Sequence, residues 1–284
     1  MTGSEPSPAG WAGARYVAMG SSFAAGPGIP GRAGGSPRAA GRSTGNYAHL
    51  VARRLGLDLV DVTYSGATSQ DILTAVAPGQ ASAVRAGAGL ASPGRPAQID
   101  AVTETTRLVT LTGGGNDIGY APRILLSSLT GPLRSLPPLR RQLDSFADPE
   151  LTEQRFDRLR ENLLQIAAQV RQRAPHAVLA FVDYLTVLPP DRGTSTGLLP
   201  AEVADWGRVI ARRLTEVTQQ AAEHTGSIFV PAAAASAGHH AWSAEPWTRR
   251  FQLSPHGGAP YHPNAAGMAA VADLVVAALP ASPP

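Results

Sequence analysis

Two adjacent hydroxyls, Ser21 and Ser22, follow the apolar run Tyr16-Val17-Ala18-Met19 and a single glycine. A hydroxyl at a strand end can serve turn or helix-capping chemistry. It can also be a nucleophile, provided that a base lies within reach. Three other stretches carry complementary groups. Tyr64-Ser65-Gly66-Ala67-Thr68 brings a glycine whose N–H a substrate carbonyl can approach. Gly113-Gly114-Gly115-Asn116-Asp117 brings a side-chain amide and a carboxylate. Tyr261-His262-Pro263-Asn264 brings an imidazole near the C-terminus. Hydroxyl, amide donors and imidazole together are what acyl transfer needs as nucleophile, oxyanion donors and base.

Each stretch alone also has a plainer reading. Ser21 and Ser22 can be N-caps, and Gly113 to Gly115 a turn. A phosphate loop at Gly113 to Gly115 is disfavoured, because no Gly-Lys-Ser/Thr follows and these glycines do not open a Gly-x-Gly-x-x-Gly run. His262 is one of seven histidines. His49 and His224 fall in helical stretches and are expected at the surface, and His176 in a turn. His239, His240 and His256 lie in one long loop and are the rivals of His262. The His239-His240 pair has no third ligand at useful spacing, so no metal site is expected.

The elements that must position these groups alternate in type. Apolar, β-branched runs occupy 15–19, 57–63, 108–112, 177–182 and 227–230. Helical spacing fills the gaps. A Ser/Thr-capped stretch runs over 43–55 to Gly56. Phe156, Leu159, Leu163, Ile166 and Val170 recur every three or four residues within 153–173. The pattern repeats over 203–224, and a last helix spans 265–279. Five strands alternating with helices predict parallel pairing, right-handed crossovers and a three-layer α/β/α domain. Ligands of such sheets sit at the carboxyl ends of the strands, where three of the four stretches fall.

Insertions near 120–150 and 231–260 read as walls or lids over that rim. Ile124, Leu125, Leu126 and Leu129 in the first could line a pocket or be core. Residues 1–14 and 280–284 are expected to be disordered, leaving one domain over 15–280.

Composition narrows the function. All 24 basic residues are Arg, yet the net charge is only +3, and the arginines are scattered. With no basic stripe interleaved with aromatics, nucleic-acid binding is excluded as a working reading. There is no Cys, so thiolate chemistry and disulfides are excluded. No apolar run reaches the roughly 18 residues of a membrane span. No signal peptide is apparent, so the expected setting is cytoplasmic. Secretion is expected only if a leader has been removed.

In order and spacing, the four stretches resemble the SGNH hydrolase family, also called GDSL esterases and lipases. DVTYSGATSQDIL, RLVTLTGGGNDIGY and YHPNAAGM resemble its actinobacterial lipase-like branch in particular. The resemblance covers essentially 15–279 and implies a flavodoxin-like fold with a five-stranded parallel sheet. It also implies a serine hydrolase that cleaves carboxylic esters through an acyl-enzyme. Ser22 matches the family nucleophile and His262 its base. Ser22, Gly66 and Asn116 match the oxyanion hole. Neither metal nor cofactor is implied, and the expected partner is a small-molecule or lipid-like ester. An acyltransferase using the same site, or a relative that binds without turnover, are the alternatives.

Three features depart from the family pattern. Ser21 stands where the family has Asp, and is expected to take over a capping role. Ala259 stands where an Asp usually orients the imidazole, so its main-chain carbonyl is the expected acceptor for Nδ1–H. Asp183 or Glu245 is a remoter alternative. Secreted members of the branch carry disulfides, and here Ala40, Tyr64 and Trp242 stand near the expected cysteines.

Overall fold

The computed structural model describes residues 10–79, 94–129, 132, 135–252 and 258–284. Five apolar runs form strands: β1 (Arg15–Gly20), β2 (Asp58–Asp61), β3 (Thr106–Thr112), β4 (Val178–Val182) and β5 (Ile228–Val230). All pair in parallel in the order β2-β1-β3-β4-β5. This is the α/β fold expected from the alternation of patterns.

The helices connecting them are α1 (Ser22–Ala25), α2 (Tyr47–Leu55), α3 (Ser69–Leu73), α4 (Gly115–Ile118), α5 (Tyr120–Ser127), α6 (Pro137–Ala147), α7 (Pro149–Arg173), α8 (Ala201–Thr225), α9 (Ala232–Ala235) and α10 (Ala265–Ala278). Both faces of the sheet are covered, so the central strands are near-continuous hydrophobic runs. Val17, Met19, Leu108, Val109 and Leu111 on β1 and β3 are fully buried with Phe181 on β4. Truncating one of the large members, for example Leu111→Ala, costs about 2–5 kcal/mol.

The expected helix boundaries match to within four residues. What differs in α2 is the cap. Ser43 does not cap it, because its hydroxyl donates to the carbonyl of Pro30 at 2.9 Å. Asn46 caps it instead, accepting the His49 N–H. His49 is half-buried rather than on the surface, with Nδ1 3.0 Å from Asn46 Oδ1.

The expected disordered ends are partly built into the fold. Trp11 is fully buried, and its indole N–H donates to the carbonyl of Pro280 at 2.8 Å. An apolar indole inside a polar, Gly-rich stretch gave the sequence reading no periodicity to register. Ala40 and Tyr64, near expected cysteine positions, pack with Ala67 into a small second apolar cluster.

Candidate active site

The carboxyl end of β1 is shaped by one close approach. A Cβ on Gly20 would lie 2.2 Å from the Thr112 carbonyl oxygen, at φ +136°, so only glycine fits. Gln98 locks the same residue, donating to its carbonyl at 3.1 Å and accepting its N–H at 2.7 Å. The chain then turns directly into α1, which puts Ser22 at the first helical position. Neither the N–H of Ser22 nor that of Gly66 meets an acceptor among the described residues. Such orphan donors make a helix start attractive to negative charge.

His262 reaches this point from the other end of the chain. Its Nε2 lies 2.8 Å from Ser22 Oγ, and its Nδ1 lies 2.7 Å from the main-chain carbonyl of Pro260. A carbonyl can only accept, so Nδ1 carries the proton and Nε2 presents a lone pair to the serine hydroxyl. Burial pushes the imidazole pKa below 6.5, and the Pro260 hydrogen bond partly opposes that shift. The ring packs on Phe23 with centroids 5.4 Å apart.

The expected acceptor, Ala259, is corrected by this geometry. The Ala259 carbonyl faces the main-chain N–H of His262 at 3.4 Å, not the ring. Tyr261 sits in the left-handed region, at φ +61°. The resulting turn presents the Pro260 carbonyl to the ring. Asp183 is no alternative acceptor for the ring. Its carboxylate takes the N–H groups of Tyr184 and Ala233 and the Thr215 hydroxyl. Glu245 meets His239 through its main-chain carbonyl, at 2.8 Å.

Ser21 is also corrected. It occupies the N-cap position of α1 but makes no side-chain cap. Its hydroxyl instead pairs with the Tyr184 hydroxyl at 3.1 Å. Tyr184 also accepts the N–H of Gly115 at 3.0 Å. Tyr184, Gln98 and Pro260 are site residues that the sequence reading missed. Only Tyr184 left a signal, as a polar aromatic two residues beyond a strand end.

The donor groups converge as expected. Gly66 takes φ +83°, a conformation that favours glycine. Asn116 donates one amide hydrogen to the Ala67 carbonyl at 2.9 Å, which leaves its second hydrogen for a ligand. Asp117 holds the loop, accepting the N–H and hydroxyl of Ser69. Ser22, Gly66, Asn116 and His262 line one cavity of about 250 Å³, together with Pro27, Ala39, Ala121, Pro122 and Leu125. Apolar residues of the first insertion divide between the two expected roles: Leu125 lines the cavity and Ile124 is fully buried core.

The rival histidines are engaged elsewhere. His239 stacks on Trp247 with centroids 4.1 Å apart, and His240 Nδ1 accepts the Trp242 N–H. His256 lies outside the described residues. No group of three or more metal-ligating side chains occurs among the described residues.

The model of the GDSL-like lipase/acylhydrolase family matches residues 18–270. The chain belongs to that family. It is therefore an SGNH-type carboxylic ester hydrolase. Lipase 2 of Streptomyces coelicolor is 35% identical over 261 residues, covering 89% of this chain and 81% of that protein. Phospholipase A1 of Streptomyces albidoflavus superposes with a TM-score of 0.72 at 24% identity, over 94% of this chain and 98% of that one. An extracellular lipase of Streptomyces rimosus superposes at 0.67, also at 24% identity, over 94% and 100%. These two likenesses speak to the fold. No helix among the described residues is long and apolar enough to cross a membrane.

Proposed function

We propose that the chain hydrolyses carboxylic esters through an acyl-enzyme on Ser22. The observation that carries this reading is the 2.8 Å contact from His262 Nε2 to Ser22 Oγ, with Nδ1–H held by Pro260. Ser22 Oγ attacks the ester carbonyl as its proton passes to Nε2. The carbonyl oxygen becomes an oxyanion facing the N–H groups of Ser22 and Gly66 and the free amide hydrogen of Asn116. The intermediate collapses, the C–O bond to the alcohol breaks, and His262 returns its proton to the leaving alkoxide. Water then gives its proton to His262 and attacks the acyl carbon. The carboxylic acid leaves, and Ser22 recovers its proton.

This is a Ser–His dyad in which a main-chain carbonyl does the orienting that an Asp would otherwise do. The apolar wall of Pro27, Pro122 and Leu125 favours an acyl or alcohol group without charge. A cytoplasmic setting rests on composition alone, and the S. rimosus protein is an extracellular enzyme.

The test is turnover of p-nitrophenyl esters of increasing acyl length, with a fluorophosphonate probe read by mass spectrometry. Hydrolysis that collapses in Ser22→Ala and His262→Ala, with the label on Ser22, supports the reading. Wild-type turnover that survives Ser22→Ala would sink it. Labelling of Ser22 without any hydrolysis would point to transfer onto an alcohol acceptor.

A further inference from the structure

A second cavity, of about 460 Å³, lies between the segment after β4 and helix α8. No residue lines both it and the cavity at Ser22. Its volume falls within the range of about 300–1,000 Å³ typical of small-molecule sites. The floor is apolar, built from Leu185, Val187, Leu188 and Leu214, all almost fully buried. At the margin Val209 stays 41% exposed, an aliphatic side chain left to water.

The polar lining is mainly cationic: Arg192, Arg208 and Arg212 against Asp205. Arg208 is committed to the fold. It pairs with Asp205 at 2.7 Å and donates to the carbonyls of Pro189 and Asp191. Arg192 shares Asp205 at 3.3 Å while remaining 79% exposed. Arg212 has no hydrogen bond or ion pair among the described residues, and it is exposed. One carboxylate therefore serves two guanidiniums and a third is free. An apolar floor with surplus guanidinium at its edge is complementary to an apolar chain with an anionic head. Guanidinium binds carboxylate or phosphate oxygens in a bidentate fork.

We propose that this cavity binds a single-chain amphiphile with an anionic head, its chain on the leucine floor and its head at Arg212 and Arg192. The head can be the carboxylate that ester hydrolysis releases or a phosphate ester. The same surplus charge rejects a quaternary ammonium. The proposal does not depend on catalysis by Ser22.

The experiment is titration calorimetry on Ser22→Ala, using decanoate, decyl phosphate and decyltrimethylammonium below their micelle concentrations. The two anions bind at one site per chain and the cation does not. Whichever anion binds tighter identifies the head, and either order supports the site. Arg192→Glu with Arg212→Glu weakens anion binding about tenfold or more. Ala211→Phe, which fills the cavity from its α8 wall, weakens it while leaving both arginines in place.

Absence of anion binding would overturn the proposal, as would unchanged affinity in the double arginine variant. So would loss of anion binding once a fluorophosphonate has blocked Ser22 in the wild type, which would put the chain in the other cavity. Failure of Ser22 to label would instead count against the hydrolase reading and leave the calorimetry standing.

Discussion

Ser21 Oγ and the Tyr184 hydroxyl lie 3.1 Å apart, and both groups are buried. The pair joins the end of β1 to the segment just after β4 and, through the Gly115 N–H, to the loop that carries Asn116. Two neutral hydroxyls thus bridge the segments that hold Ser22 and Asn116. The Tyr184 ring also packs on Phe23, the residue after Ser22, with centroids 4.6 Å apart.

Tyr184→Phe keeps the ring and deletes the bridge. The Ser21 hydroxyl and the Gly115 N–H are then buried without partners, at a cost of about 1–3 kcal/mol each. The expected outcome is a lower melting temperature and a lower kcat at nearly unchanged KM. Deleting only one end, as in Ser21→Ala, costs less on both counts. Steady-state kinetics beside thermal melts check this. A Tyr184→Phe enzyme with wild-type kcat would show that the bridge has no part in positioning.

Asn116→Ala removes one oxyanion donor and leaves Ser22 and His262 in place. It should lower kcat roughly 100- to 1,000-fold. Stopped-flow acylation with a p-nitrophenyl ester reads the step directly. Because Asn116 also ties its loop to Ala67 at 2.9 Å, a thermal melt of the variant separates loss of the donor from loss of the loop.

The pH dependence follows from His262. Only neutral imidazole can accept the Ser22 proton, and burial lowers its pKa below 6.5. Activity therefore rises with pH, and the midpoint of the acid limb in kcat/KM lies below 6.5. The profile stays flat above that point through neutrality. A midpoint above 7 would mean that an unseen carboxylate stabilises the imidazolium and that the Pro260 carbonyl is not its partner.

Stability responds to pH in the opposite sense. Burial raises the carboxyl pKa values of Asp117 and Asp183 from 3.8 to about 6. The folded state holds these protons after the unfolded chain has released them. Each group's contribution is complete below pH 3.8 and is lost as pH rises towards 6, on the order of 3 kcal/mol each. Urea melts at pH 4.5 and pH 7 should show that Asp183→Asn removes its share of the difference.

The fold and the meeting of Ser22, Gly66, Asn116 and His262 at one cavity were legible because they rest on local signals. Strand-forming runs that end in glycine or hydroxyl residues place Ser22, Gly66 and Asn116 on one rim. Pro263-Asn264 fixes the start of α10 just after His262, with Asn264 accepting the Gly267 N–H. The parts that were not legible are long-range or conformational. Nothing in the sequence says that a tyrosine 163 positions from Ser21 should meet its hydroxyl. The choice of Pro260 over Ala259 depends on a left-handed tyrosine, a backbone state disfavoured for a bulky residue and hence not predicted from its type. Trp11 was read with its polar surroundings, although its partner lies at the opposite terminus.

Gly28 offers a test of that turn from outside it. It takes φ +78°, and a Cβ there would fall 2.6 Å from the Ala259 nitrogen and 2.7 Å from the Gly258 Cα. Both obstacles are backbone, so a methyl group cannot be absorbed by a rotamer change. Gly28→Ala must shift the 258–260 segment or the loop after α1. The first displaces the Pro260 carbonyl, and the second pulls on the end of α1, the helix that starts at Ser22. Either shift strains the 2.7 Å and 2.8 Å contacts of His262. A misplacement of about 1 Å can cost a hundredfold in rate. The expected result is a fall in kcat of about that size, although the substituted residue touches neither Ser22 nor His262. Fluorophosphonate labelling of Ser22 slows in parallel. A Gly28→Ala enzyme with wild-type kcat and labelling rate would show that the turn tolerates movement and that Pro260 does not set the imidazole.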